Sequence, residues 1–314
     1  MTGNFIDFTS RCSETTGECL PFPKKAKYKV WELTLYNELE LEITGSIHKY
    51  WNNGTNETDF TYYDLYRAIV EFSNDFKINP LYVSVHNLEY GVNIRPSIDA
   101  TEILKNIISF GNVESVKKIS EGMHYIEFYM TEFYLKLYDK GKQARTQWHK
   151  DAGNILRVEV KAVKNRGFAD AGIKYLIDLL NPKNLQVLGG KILKKFEKVV
   201  FDDPTINPKL LKLTERKVYI KYRNPREWAK NGEGRKSSTL LAQENKYRAI
   251  VAKYGTQQLS ATIGSLISAK WGELLQDADQ SANEVQDFIT HCNNCGFSYL
   301  KYNVKTLKPT DRKS

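Results

Sequence analysis

Tyr138 stands in the stretch Phe133-Tyr134-Leu135-Lys136-Leu137-Tyr138-Asp139-Lys140-Gly141-Lys142-Gln143, and a second alternating stretch, Ile155-Leu156-Arg157-Val158-Glu159-Val160-Lys161, follows soon after it. A phenol with an ammonium two residues on, followed by an Arg-x-Glu pair, supplies a nucleophile, a clamp for phosphate oxygens and a carboxylate for a metal ion. Those are the groups needed to cut DNA through a phosphotyrosine bond.

Whether such groups can meet is a matter of strand geometry, because side chains on a strand alternate faces with a period of two. Phe133, Leu135 and Leu137 then point one way, and Tyr134, Lys136, Tyr138 and Lys140 the other. In the second stretch Leu156, Val158 and Val160 form an apolar face, and Arg157, Glu159 and Lys161 a polar one. Antiparallel pairing would bring both polar faces to one surface of a sheet. Two amphipathic strands with a wet face would give the same pattern without any chemistry.

Tyr138-x-Lys140-Gly141-x-Gln143 followed by Arg157-x-Glu159-x-Lys161 resembles the active-site region of rolling-circle replication initiators, the gene II type of filamentous phages and the related trans-acting plasmid Rep proteins. Two upstream segments agree in order. Gly45-Ser46-Ile47-His48-Lys49-Tyr50, with Gly54-x-Asn56 and Asp59-Phe60 after it, is similar to a Ser-x-x-Lys…Gly-x-Asn signature of that group, and Leu88-Glu89-Tyr90-Gly91-Val92-Asn93-Ile94 occupies the place of its acidic strand. The likeness covers roughly residues 40–170. One position departs from it: five residues after the tyrosine the family usually has Glu, and this chain has Gln143.

The resemblance implies a replication-initiator-like nickase working by transesterification. The Tyr138 phenolate attacks a phosphodiester, leaving a 5′-phosphotyrosine and a free 3′-hydroxyl, and the stored bond later closes the strand. Because a phenol of pKa about 10 is a poor nucleophile at neutral pH, the charge must be stabilised. Lys140 and Arg157 are expected beside Tyr138, and Glu159 and Glu89 are expected to hold Mg²⁺ or Mn²⁺. The His-x-His triplet of other tyrosine nickases is missing, since the histidines stand at 48, 86, 124, 149 and 291. Expected DNA contacts are Lys49, Lys161, Arg223, Arg226 and Lys230. The expected partners are single-stranded or supercoiled origin DNA and the host replication machinery. Two other readings share these residues: a DNA-binding regulator that cuts nothing, and a metal-dependent nuclease that uses water.

Composition agrees with a polyanionic partner. Lys and Arg number 46 against 37 Asp and Glu, for a net charge of +9 and a pI near 9.1 in 314 residues. No apolar run approaches the roughly 18 residues of a membrane span, and the polar start Met1-Thr2-Gly3-Asn4 does not read as a signal peptide. No membrane partner and a cytoplasmic location, that of a bacterial host, are therefore expected. Cys292 and Cys295, beside His291, have the spacing of half a zinc site, but Cys12 and Cys19 do not complete it, so four reduced thiols are expected.

The elements that must position the site are legible from periodicity. Residues 1–27, with Pro21 and Pro23, read as an irregular lead-in, and Trp31 to Ile43 as a hairpin turning at Asn37-Glu38. Thr61 with Asp64 reads as a helix N-cap. Leu81 to Ile94 reads as a strand, Asp99 to Ser109 as a helix, and 124–130, 132–139 and 154–164 as strands. Helical spacing follows over 173–180 and 185–196, and three helices are expected between 240 and 289. The segment 209–236 interleaves ten basic residues with Tyr219, Tyr222 and Trp228, a pattern suited to phosphate contacts and base stacking. The sequence thus predicts an α+β protein, mostly antiparallel sheet with helices on one face. Residues 1–200 would form the catalytic domain, and 205–314 a basic, mainly helical DNA-binding accessory region.

Overall fold

The computed structural model describes residues 6–111, 113–114, 116–120, 123–163, 165–229 and 238–295. The protein is α+β with antiparallel sheets, as its periodicities predict. It divides into two compact units, one made of Met1–Asn79 with Asn283–Ser314 and the other of Pro80–Ala282. Among the described residues no helix is long and apolar enough to cross a membrane.

In the first unit a four-stranded sheet runs β1 (Thr9–Cys12), β2 (Cys19–Tyr28), β3 (Trp31–Asn37), β4 (Glu40–Thr44), followed by α1 (Ile47–Trp51) and α2 (Tyr62–Phe76). The irregular lead-in expected over 1–27 is corrected by β1 and β2. Pro21 and Pro23 fall between the ladder positions Cys12↔Cys19 and Ser10↔Lys24, where the register shifts and a missing N–H costs no ladder bond. Cys12 and Cys19 are cross-strand partners joined by a disulfide, which corrects the expectation of four reduced thiols. Cys292 and Cys295 are free. Burial, then the neighbouring Cys295, pushes the Cys292 thiol up to about 12.

The capping box read from Thr61 and Asp64 opens α2, and its apolar face packs Phe72 on Trp31. A charged clamp then ties the β2–β3 turn to the helix. Asp75 accepts hydrogen bonds from Tyr50 Oη at 2.8 Å, Lys29 Nζ at 2.9 Å and Tyr28 Oη at 3.0 Å. Desolvation would raise the Asp75 pKa, but these three donors outweigh it and hold the carboxyl below its usual range. The stability it contributes is therefore present above the unfolded-state value of about 3.9 and lost as pH falls through the lower folded value. Asp75→Asn should cost about 2 kcal/mol at neutral pH, the upper end being unreachable because Lys29 is partly exposed. Hydrogen exchange of the α2 amides in the full chain should register the loss, and the gap to wild type should narrow in acid. Equal protection at neutral pH would show that the clamp contributes nothing.

The second unit is built on a five-stranded antiparallel sheet ordered β5 (Leu88–Ile94), β11 (Leu156–Ala162), β10 (Phe133–Asp139), β9 (Met123–Tyr129), β8 (Val116–Ser120), the numbering following the chain. After β5 come α3 (Ala100–Lys105), β6 (Ile107–Phe110), β7 (Val113–Glu114), β8 (Val116–Ser120), β9 (Met123–Tyr129), β10 (Phe133–Asp139), α4 (Lys140–Trp148) and β11 (Leu156–Ala162). Then follow α5 (Pro182–Phe196), β12 (Val199–Phe201), α6 (Leu213–Tyr222), α7 (Arg226–Ala229), α8 (Ser238–Tyr254) and α9 (Leu259–Leu274). One sheet face buries Val92, Ile126, Leu135, Leu137, Val158 and Val160. Tyr90 of this face meets Trp271 of α9, whose indole also donates to Leu185 O of α5 at 3.0 Å.

Three expected elements change. The strand begins at Leu88 rather than Leu81, and Ser84 makes only an isolated bridge to Tyr175. The helix from Asp99, whose side chain caps it, stops at Lys105. Ile107-Ile108-Ser109-Phe110, buried throughout, instead pairs with β12 as a strand, a choice that a short apolar run leaves open. The segment 176–180 is a 3₁₀ turn rather than an α-helix. Ile108 of β6 and Val200 of β12, neighbours in a separate three-stranded sheet with β7, share one apolar cluster with Tyr219, Tyr222, Trp228, Leu240 and Tyr247, so α6, α7 and α8 pack on that sheet within the second unit.

Candidate active site

The polar face of the five-stranded sheet is set by register. Tyr138 lies opposite Arg157 on one side and Tyr125 on the other, and Arg157 lies opposite Asn93. The next row reads Gly91, Glu159, Lys136, Glu127 across four strands, and the next Glu89, Lys161, Tyr134, Tyr129. The two stretches singled out in the sequence therefore do pair antiparallel, with their polar residues on one face. Gly91 is required there, since a Cβ would overlap the backbone of β11 and the Cβ of Glu159.

This face is more closed than a wet strand surface. Tyr138 and Glu159 are each 4% exposed and Arg157 9%. Tyr138 Oη donates to Glu159 Oε2 at 3.2 Å, and the same oxygen takes Arg157 Nε at 2.6 Å. Arg157 Nη1 also donates to Asn93 Oδ1 at 3.1 Å. Desolvation pushes the Glu159 carboxyl up, but Arg157, Lys136 and Lys140 more than offset it, so Glu159 is held below the carboxylate range and is ionised. Burial, then the charge of Glu159, drives the Tyr138 phenol well above its ordinary value, with Arg157 opposing. Tyr138 is thus a buried hydrogen-bond donor at neutral pH.

Two neighbours that the sequence did not single out complete the face. Tyr125 is partly exposed, with its ring centroid 5.2 Å from that of Tyr138. Lys136 places Nζ 3.8 Å from both Glu159 Oε1 and Glu127 Oε1, and 4.7 and 5.0 Å from the Tyr125 and Tyr138 ring centroids. The signal was present in the turn: β9 and β10 reverse at 130–132, with Met130 N bonded to Phe133 O. That reversal pairs Tyr129 with Tyr134 and hence Tyr125 with Tyr138.

Lys140 departs from its expected place. It is the first residue of α4, not a strand residue, because Asp139 caps the helix through Lys142 N. Gly141 lets that helix start close to the chain at Gly153, whose carbonyl a Cβ would strike. Lys140 is 1% exposed and donates to Gln143 Oε1 at 2.7 Å. Gln143 is accordingly a neutral acceptor on α4, which also bonds Gln147.

Glu89 is exposed at the sheet edge yet lies near enough to be affected by the site. Desolvation, then repulsion from Glu159, raises its carboxyl pKa. Two carboxylates that repel one another on one face are the donor chemistry of a hard cation. Among the described residues no three His, Cys, Asp or Glu side chains converge.

The expected DNA contacts scatter. Lys161 is exposed on the same face, opposite Glu89 and Tyr134. Lys49 belongs to α1 of the first unit. Arg223 is engaged with Asp202, Nε and Nη2 each at 2.8 Å, and Arg226 is exposed on α7. Lys230 lies outside the described residues. Tyr219, Tyr222 and Trp228, expected to stack on bases, are buried in the α6–α8 cluster, where Trp228 Nε1 donates to Tyr222 O at 2.7 Å.

No protein-family model, curated protein or solved structure matches the chain.

Proposed function

We propose that the protein is a rolling-circle replication initiator that nicks and rejoins DNA through a 5′-phosphotyrosine. The observation that carries the reading is the Tyr125–Tyr138 pair, set beside a carboxylate that Arg157 and Lys136 keep ionised. In the reaction the phenol oxygen forms a bond to phosphorus, the bond from phosphorus to the 3′-oxygen breaks, the phenol loses its proton and the 3′-oxygen gains one. Arg157, held by Glu159 and Asn93, is a fixed charge that needs no reorganisation as the phosphorane becomes more anionic.

Accessibility divides the tyrosines. Tyr138 came first from the sequence, but at 4% exposure with its hydroxyl committed to Glu159 it meets a phosphodiester only if the face opens. Tyr125, on the same row, is partly exposed. The reading therefore gives the attack to Tyr125, with Tyr138 holding Glu159 beside it. A bound Mg²⁺ or Mn²⁺ would neutralise phosphate charge, and Glu159 and Glu89 are the residues that would hold it.

The test is incubation of the full chain with a pool of single-stranded oligonucleotides and Mg²⁺, then denaturing electrophoresis. A denaturant-resistant protein–DNA band with a free 3′-hydroxyl on the other product is expected. Cleavage with both ends free would make the protein a water-using nuclease. Retention of DNA with no cutting would make it a binding regulator.

A further inference from the structure

Two lysines flank Tyr138 in the chain, and their surroundings differ in kind. Lys140, the one selected by spacing, is enclosed: it is bonded to Gln143 at 2.7 Å, with Nζ 4.5 Å from the Trp148 ring centroid. It can reach a phosphate only by giving up a charge-assisted bond in a desolvated place. Lys136 is 31% exposed along its side chain, and its two carboxylate contacts are 3.8 Å, well beyond the about 2.7–2.9 Å of a charge-assisted hydrogen bond. Its ammonium is drawn to the face by charge, from Glu127 and Glu159 and from two aromatic rings. It can therefore turn to an oxyanion without breaking a hydrogen bond to either carboxylate.

We propose that Lys136 is the residue that grips the non-bridging oxygens of a phosphodiester beside the tyrosine pair, and that Lys140 is a positioning residue of α4. The ligand class is the sugar–phosphate backbone of a single-stranded nucleic acid. Row order supports it: Lys136 lies one row from Tyr125 and Tyr138 and opposite both Glu127 and Glu159, so an anion held there sits against the phenols. This proposal rests on the phosphodiester reading of the face, but binding tests it apart from cutting.

A fluorescent single-stranded oligothymidylate is titrated against full-length wild type, Lys136→Gln, Lys136→Arg and Lys140→Gln at several salt concentrations, without divalent metal. Lys136→Gln should weaken binding several-fold and reduce the salt slope by about 0.7, the value for one contact to a single strand. Lys136→Arg should restore most of both, and Lys140→Gln should lower the melting temperature while leaving the slope unchanged. An unchanged slope in Lys136→Gln, or an equal fall in Lys140→Gln, overturns the assignment. Acetylation footprinting of wild type needs no variant to fold: the oligonucleotide should protect Lys136, and undiminished modification at saturation also overturns it. Lys136-dependent binding here leaves the phosphate contact standing even if the Mg²⁺ incubation described above yields no covalent product, whereas absence of all binding overturns the contact.

Discussion

Arg157→Ala should destabilise the Pro80–Ala282 unit by about 3–5 kcal/mol at neutral pH, the cost of leaving one member of a buried ion pair behind. The partner left behind is Glu159, 4% exposed, whose shortest contact is the 2.6 Å bond to Arg157. Lys136 at 3.8 Å cannot replace it. Desolvation is the largest single influence on Glu159, so without Arg157 it should prevail and push the carboxyl up. The sign of the pH dependence follows. In wild type the depressed pKa of Glu159 contributes stability above the unfolded value of about 4.3, and that stability is lost as pH falls through the folded value. In the variant the carboxyl protonates readily, so the deficit should be largest at neutral pH and shrink in acid. Arg157→Met combined with Glu159→Leu should recover most of the loss, because apolar residues of similar volume often replace a buried pair at little cost. Denaturant unfolding across pH checks this; a single variant as stable as wild type would mean that the pair is not holding the face together.

Tyr125→Phe should abolish covalent attachment to DNA, while binding to single strands stays nearly unchanged because no charge is lost. Tyr138→Phe should behave differently. It removes the 3.2 Å donor to Glu159 but leaves the partly exposed Tyr125, so attachment should slow and still occur, mapped to Tyr125. The double variant should form no adduct at all. If Tyr125→Phe keeps its adduct and the linkage maps to Tyr138, the face must open in solution and the nucleophile is the buried tyrosine.

Much of the site was legible because a strand's period of two leaves no freedom once register is fixed. Arg157 and Glu159 share a face with Tyr138 for that reason, and Thr61 with Asp64 announced α2 by the same kind of local rule. What failed to show was whatever depends on burial. Tyr219, Tyr222 and Trp228 among lysines and arginines look alike whether they stack on bases or fill a core. Only the packing of α6, α7 and α8 on Ile108 and Val200 decides, and it turns them inward. Lys140 was chosen because it follows the tyrosine by two residues, yet the cap at Asp139 ends the strand and buries it. Ile107 to Phe110 could have ended a helix or begun a strand, and its partner β12 lies some ninety residues on.

The most direct measurement is peptide mapping by mass spectrometry after wild-type protein has reacted with single-stranded DNA and Mg²⁺ or Mn²⁺ and the DNA has been digested. The account predicts a nucleotide-mass addition on the peptide carrying Tyr125, joined through the phenol oxygen to a 5′-phosphate. Strand cleavage with no modified tyrosine, or an adduct on Tyr138 or any tyrosine other than Tyr125, would contradict it.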